Sequence, residues 1–194
     1  AVGGCGGEVC GMNSPVIASV GFHHLYETYG MANAEGFAIS RFVQNGLEWQ
    51  LDVKKGRLTA KRNTLPPTYI SGAALQGSQI WLRRGSDEYV IRVTSVHTFP
   101  ALAKINNVAP QVEAYRLDWT DVFNGMPINE WENVCHNIPG RDSKELFGIP
   151  GALNFISFLF EGDVIDPDDR IITGSNHAQT NVGCAGHTFA KMVM

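Results

Sequence analysis

Tyr89-Val90-Ile91-Arg92-Val93-Thr94-Ser95-Val96-His97 is the stretch that decides the fold. It is the strongest strand signal in the chain. A period of two puts Tyr89, Ile91, Val93 and Ser95 on one face and Val90, Arg92, Thr94 and Val96 on the other. On its N-terminal side, Arg84-Gly85-Ser86-Asp87 reads as a turn back to Gln79-Ile80-Trp81-Leu82-Arg83. Further upstream, Leu47-Glu48-Trp49-Gln50-Leu51-Asp52-Val53 alternates without a break. Lys54-Lys55-Gly56 turns it and Arg57-Leu58-Thr59-Ala60 returns, so 47–62 is predicted as a β-hairpin. Downstream, a connection from Pro100 to Pro110 leads to Val112–Trp119. Phe155–Phe160 is another strand, and Ile171-Ile172-Thr173 returns after an acidic turn.

Strands at hairpin spacing with no helical pattern between them argue for antiparallel pairing rather than βαβ units. The predicted class is mainly β: an antiparallel sandwich or partly open barrel, with a short C-terminal helix from about residue 184. Residues 1–194 read as a single β-rich domain, with 1–46 as a loop-rich N-terminal segment. In Val16–Ala38 the turn residues Gly30, Asn33 and Gly36 rule out a long helix. Trp131–Cys135 reads as a short strand that places Cys135 in the core.

The chain has 194 residues, 44% hydrophobic and 18% charged, which is ordinary for a folded protein and excludes disorder. The net charge is −4 and no basic run exceeds a pair, so no nucleic-acid partner is expected. The longest apolar run, Ala152–Phe160, is interrupted by Asn154 and Ser157 and falls short of the roughly 20 residues that span a bilayer. The opening AVGGCGGEVCG is small and nearly uncharged, as expected of an end left by signal cleavage. Four cysteines, an even number, then point to a secreted or periplasmic protein with two disulfides.

Cysteine carries the choice between two functions. Val182-Gly183-Cys184-Ala185-Gly186 reads as a strand handing over to a helix, with Cys184 near the helix start, where backbone N–H groups favour a thiolate. One reading makes Cys184 a nucleophile, with His97 or His136 as base and Asp118 or Asn176 orienting the ring. The Gly183–Gly186 amides would supply an oxyanion site, giving a cysteine hydrolase or acyl transferase. The other pairs Cys184 with Cys135, and Cys5 with Cys10, as disulfides. The two readings exclude each other, because a bridged sulfur cannot attack.

Metal and cofactor signals are weak. Cys5 and Cys10 have no second pair to complete a zinc site. His177 and His187, with His97 or His136, lack HxH or HExxH spacing. Glu161, Asp163, Asp166, Asp168 and Asp169 lack the alternation of an EF-hand loop. No metal and no cofactor is expected. Trp81, Trp119 and Trp131 fit either a ligand groove or core filling.

Several fragments taken in order resemble one family. They are Asn13-Ser14-Pro15-Val16-Ile17, Asn33-Ala34-Glu35-Gly36-Phe37, Ile70-Ser71-Gly72-Ala73-Ala74-Leu75-Gln76-Gly77, the Trp131…Cys135 piece, and Gly183-Cys184-Ala185-Gly186 with Ala190-Lys191. Together they are similar to the ADYC domain-containing proteins, exported bacterial proteins named for an Ala-Asp-Tyr-Cys motif. That motif is absent here, and in the family it lies beyond the equivalent of Lys191. The resemblance implies export and a companion C-terminal part, either cut away or present as a separate chain. It implies no activity. The expectation is therefore an exported, disulfide-stabilised β-rich binding or assembly protein, with the cysteine enzyme as the alternative.

Overall fold

The computed structural model describes residues 15–22, 24–54, 56–100, 111–135, 156–161, 164–165, 171–172 and 179–184. The strands are β1 (Val16–Ile17), β2 (Val20–Gly21), β3 (His24–Tyr26), β4 (Phe37–Gln44), β5 (Leu47–Lys54), β6 (Arg57–Arg62), β7 (Thr68–Ser71), β8 (Gln79–Arg84), β9 (Asp87–Pro100) and β10 (Gln111–Phe123). After them come β11 (Met126–Pro127), β12 (Glu132–Asn133), β13 (Ile156–Glu161), β14 (Val164–Ile165), β15 (Ile171–Ile172) and β16 (Gln179–Cys184). One 3-10 turn, Gly72–Leu75, joins β7 to β8. The main sheet runs β3-β16-β13-β10-β9-β8-β4-β5-β6-β7, with β11 and β12 also on β10. All its pairings are antiparallel.

The class is therefore mainly β and antiparallel, and among the described residues the sheet curls without closing into a barrel. Where the two halves approach, β4 is met by the segment after β3 rather than by a full strand. Ala32 forms an isolated bridge to Ala38, and Gly30 and Asn33 donate backbone hydrogen bonds to Ile39 and Phe37. The expected C-terminal helix falls on residues outside those described. Cys184 itself is the last residue of β16.

Two extra residues govern the curl. The β4–β8 register shifts between Ile39 and Arg41, leaving Ser40 unpaired. The β9–β10 register pairs Ser95 with Arg116 but Val93 with Leu117, leaving Thr94 unpaired. Such bulges bend a strand and raise its twist. They also invert the side-chain parity beyond them. The single alternation expected over 89–97 is corrected here. Tyr89, Ile91 and Val93 face the core, but past Thr94 it is Val96, not Ser95, that packs against it. The bulge at Ser40 likewise lets Phe37 and Ile39, then Phe42, face inward on one strand. This eight-residue strand lies in the stretch read as loop-rich, and its broken period hides it.

Across the middle of the sheet the paired residues Trp49, Phe42, Ile80, Ile91 and Trp119 form one inward row. A void of about 20 Å³ in this core is lined by apolar side chains that include Phe22, Leu25, Leu58 and Val182. That is room for about one water molecule, far below the roughly 300 Å³ of a small-molecule site. This part of the interior is a packed core.

The hairpin β5–β6 folds over the far side of the sheet, and one buried tyrosine fixes it there. Tyr115 Oη on β10 accepts a hydrogen bond from Leu58 N at 2.8 Å and donates to Glu113 Oε2 at 2.6 Å. Tyr115 is fully buried, and burial raises its pKa so that it stays protonated. Tyr115→Phe leaves the Leu58 amide and the Glu113 carboxylate each short of a partner. The expected loss of stability is about 1–3 kcal/mol, read from urea midpoints at unchanged slope.

Candidate functional site

The sulfur chemistry is settled by a bond. Cys135 and Cys184 form a disulfide, with their Cα atoms 5.6 Å apart and a sequence separation of 49. Each is positioned by local pairing. Cys135 forms an isolated bridge to Pro15, and its N–H donates to Asn133 Oδ1 at 2.8 Å. Cys184 pairs with Ser157 across β16 and β13. Both cysteines are buried, at 3% and 1% exposure, and belong to the main apolar cluster. Ser157 Oγ lies 3.2 Å from Cys135 Sγ, and only the hydroxyl has a hydrogen to donate. The bridge thus ties the end of β16 to the segment after β12, inside the core. A bridged, buried sulfur is no thiolate, so in this state Cys184 cannot serve as the nucleophile of the alternative reading.

The remaining residues of that reading have other partners. Asp118 is only 3% exposed. It accepts hydrogen bonds from Thr94 Oγ1, from Asn133 Nδ2 at 2.9 Å and from Arg116 Nε at 3.1 Å. These groups lie on three adjacent strands, so Asp118 clamps the bulge at Thr94 to its neighbours instead of orienting an imidazole. His97 Nε2 lies 2.9 Å from Ser95 Oγ, and its ring stacks on Phe99 at 6.0 Å. Burial lowers the His97 pKa, favouring neutral imidazole. Cys5, Cys10, His136, Asn176, His177 and His187 lie outside the described residues, as does most of the acidic stretch 161–169. Among the described residues no cluster of three metal-ligating side chains occurs.

The tryptophans divide between the two sheet faces. Trp119 is in the core, packed edge-on against Tyr89 at 6.0 Å. Trp81 and Trp131 belong to the outer layer, under Arg41 at 4.0 Å and Arg92 at 4.1 Å. These cation–π contacts cover the ring faces that a ligand groove would use. Arg92 Nε is buried with no hydrogen-bond partner, although Arg92 stands directly opposite Asp118 in the β9–β10 register. Asp118 is already occupied by its three donors.

Two features absent from the sequence-based expectations stand out. One is the hairpin β10–β11. Asn124 and Gly125 take φ of 50° and 74° and turn the chain tightly. Around the turn Phe123, Met126 and Ile128 are exposed by 63%, 65% and 54%. The Asn-Gly dipeptide could have flagged the turn.

The other is the seam beside β5. β4 pairs with β5 only as far as Trp49, so the backbone of β5 beyond that point lacks a strand on that side. Two side chains from the segment after β3 serve in its place. Tyr29 Oη donates to Trp49 O at 2.6 Å and accepts from Leu51 N at 3.1 Å. Glu27 Oε1 accepts from Val53 N at 3.2 Å and from Thr180 Oγ1 of β16 at 2.7 Å. Partial burial raises the Tyr29 pKa. Desolvation by burial, with a contribution from Asp52, raises the Glu27 carboxyl to about 7.

No family model, no curated protein and no solved structure matches this chain. Function therefore rests on the residues themselves.

In the native oxidised protein, iodoacetamide is expected to leave Cys135 and Cys184 unlabelled, and to label both after reduction in denaturant. Opening the bridge frees a loop of about 50 residues in the unfolded chain, worth roughly 4 kcal/mol on the chain-entropy model. A Cys135→Ser, Cys184→Ser double variant is expected to lose about that much. Rapid alkylation of Cys184 without reductant would be the opposite result.

Proposed function

We propose that the protein is an exported, disulfide-stabilised β-rich module of the ADYC domain-containing family, whose role is binding or assembly rather than catalysis. The observation that carries this reading is the buried Cys135–Cys184 bridge. It makes a structural brace of the sulfur that the alternative reading needs as nucleophile. A bridge of this kind suits the secreted or periplasmic compartment, where disulfides persist. Among the described residues no helix is long and apolar enough to cross a membrane.

The contact surface we assign to this role is the β10–β11 tip. Phe123, Met126 and Ile128 hold three large apolar side chains in solvent on one short hairpin, an arrangement typical of an interface anchor. The occupant we propose is the companion C-terminal part implied by the family resemblance, continuous with this chain or processed into a second one.

A photoreactive residue at position 123 or 126 tests this in full-length native material. The expected product is a cross-link to sequence beyond Met194, identified by peptide mapping. Phe123→Ser combined with Met126→Ser should weaken that association by at least tenfold while leaving the melting temperature within a few degrees. Cross-links confined to residues 1–194, or none, would overturn the assignment. Intact mass separates the two versions, since one continuous polypeptide extending past Met194 would remove the two-chain form.

A further inference from the structure

The main sheet ends at β7 in an edge. β7 pairs with β6 on one side, and among the described residues no strand lies on the other. In an antiparallel ladder alternate residues turn both N–H and C=O away from the partner strand. Half of the four residues Thr68–Ser71 therefore offer backbone donors and acceptors outward. Pro66-Pro67 and the shortness of the strand limit how far another chain can pair along it. The side chains around it do not hide it. Leu65, just before the strand, is 100% exposed, and Tyr69 within it is 64% exposed.

The strands beside this edge gather positive charge that the sequence spreads out. Val53, Leu58 and Ala60 face the core. A period of two then puts Lys54 of β5, Arg57 and Lys61 of β6 and Tyr69 of β7 on the opposite face. Lys54 is paired with Asp52, and Arg57 stands 3.8 Å from Glu113. Lys61 has no carboxylate partner among the described residues. Its ammonium instead leans toward the edge, 6.0 Å from the centre of the Tyr69 ring. Arg62, at the end of β6, lies over Trp49 at 5.4 Å. β6 and β7 contain no acidic residue, and β5 has Glu48 and Asp52. This corner is basic in a chain whose net charge is −4.

We propose that β7 is a docking edge for an extended, acidic peptide segment of a partner protein. The segment adds to the sheet as a further strand and sets its carboxylates beside Lys61. The open ladder selects a peptide over other polyanions, because a lipid headgroup or a glycan lacks the repeating N–H and C=O of a strand. Lys61 selects the charge. Alternate side chains of an added strand stand on the Tyr69 face, about 4.8 Å from β7, within reach of a lysine stem. A second copy of this chain is disfavoured for the same reason, since β7 against β7 would bring two basic corners together. Tyr69 and Lys61 supply the anchor and the charge, and the outward amides fix the register. This edge is independent of the occupant assigned to the β10–β11 tip.

The probe is a short fluorescein-labelled peptide of alternating Glu and Val, titrated into the full-length native protein. Saturable binding by fluorescence polarisation is expected, weakening as salt rises. Amide shifts should centre on residues 68–71, and exchange of the outward β7 amides should slow by roughly tenfold or more. Lys61→Glu should weaken binding by at least about tenfold, with the melting temperature within a few degrees of wild type. Lys61→Met keeps the apolar stem without the charge and should give most of the same loss. A peptide with Lys in place of Glu, and an N-methylated form of the Glu-Val peptide, should each bind roughly tenfold or more weakly. Equal binding of the N-methylated form would reduce the surface to a bare positive patch. Binding of phosphatidylglycerol vesicles without binding of the peptide would give the surface to lipid. Dimerisation that protects the β7 amides would give the edge to a second copy. Any of these results, or no saturable binding of the peptide, overturns the proposal.

Discussion

The shape of this protein depends on the constraint that a sheet rolled around its own core must bend without losing its ladder. Two residues meet that demand. Ser40 and Thr94 are each inserted opposite no partner, in strands that straddle β8, and there the strands turn. Their hydroxyls are held. Ser40 Oγ donates to the carbonyl of Trp81, and Thr94 Oγ1 to Asp118. Both bends are therefore anchored to the neighbouring strand by a side chain, which keeps the register on each side from drifting. The inward row from Trp49 to Trp119 lies between these two points and fills the space that the curvature encloses.

Curling creates a second problem that the molecule solves with side chains. Where β5 leaves β4, its amides and carbonyls face a gap, and unpaired backbone groups away from water are costly. Tyr29 and Glu27, from the bend and turn that follow β3, stand in for the missing strand. A side-chain seam differs from a ladder in one respect: it contains groups that titrate. The disulfide works at another part of the sheet, fixing the end of β16 to the segment after β12. Tyr115 pins the overlying hairpin from inside. Together they hold the same curled sheet at three separated places.

Much of this was legible in the chain. Leu47–Val53 and Tyr89–Val93 alternate cleanly because no bulge interrupts them, and their inward residues are where a period of two places them. The pairing of Cys135 with Cys184 was one of two open readings, and composition could favour it without deciding it. What stayed hidden has a common cause. A bulge inverts parity, so Phe37–Gln44 reads as noise although it is an eight-residue strand, and Ser95 and Val96 exchange faces. The dipeptides Asn45-Gly46 and Asn124-Gly125 carry the left-handed φ values of tight hairpin turns and were the available signal for β4 and for the exposed tip. Glu27 had no such signal. Its role comes from a gap in the pairing of a strand more than twenty residues away. Asp118 looked available for catalysis because its three donors come from residues 94, 116 and 133, which only the fold brings together.

The pairing of β3 with β16 has a consequence for how the molecule is made. His24 lies opposite Asn181 and Tyr26 opposite Gln179, so β3 waits for a strand more than 150 residues later before this pairing can form. A chain emerging from a ribosome cannot finish this sheet from its leading end, and contacts so distant in sequence form slowly. For as long as residue 184 is still to arrive, β3 lacks β16 and Cys135 lacks the sulfur of Cys184. This edge of the sheet therefore stays open until residues 179–184 are delivered, and oxidation of Cys135 with Cys184 then fixes an arrangement that could not have formed sooner.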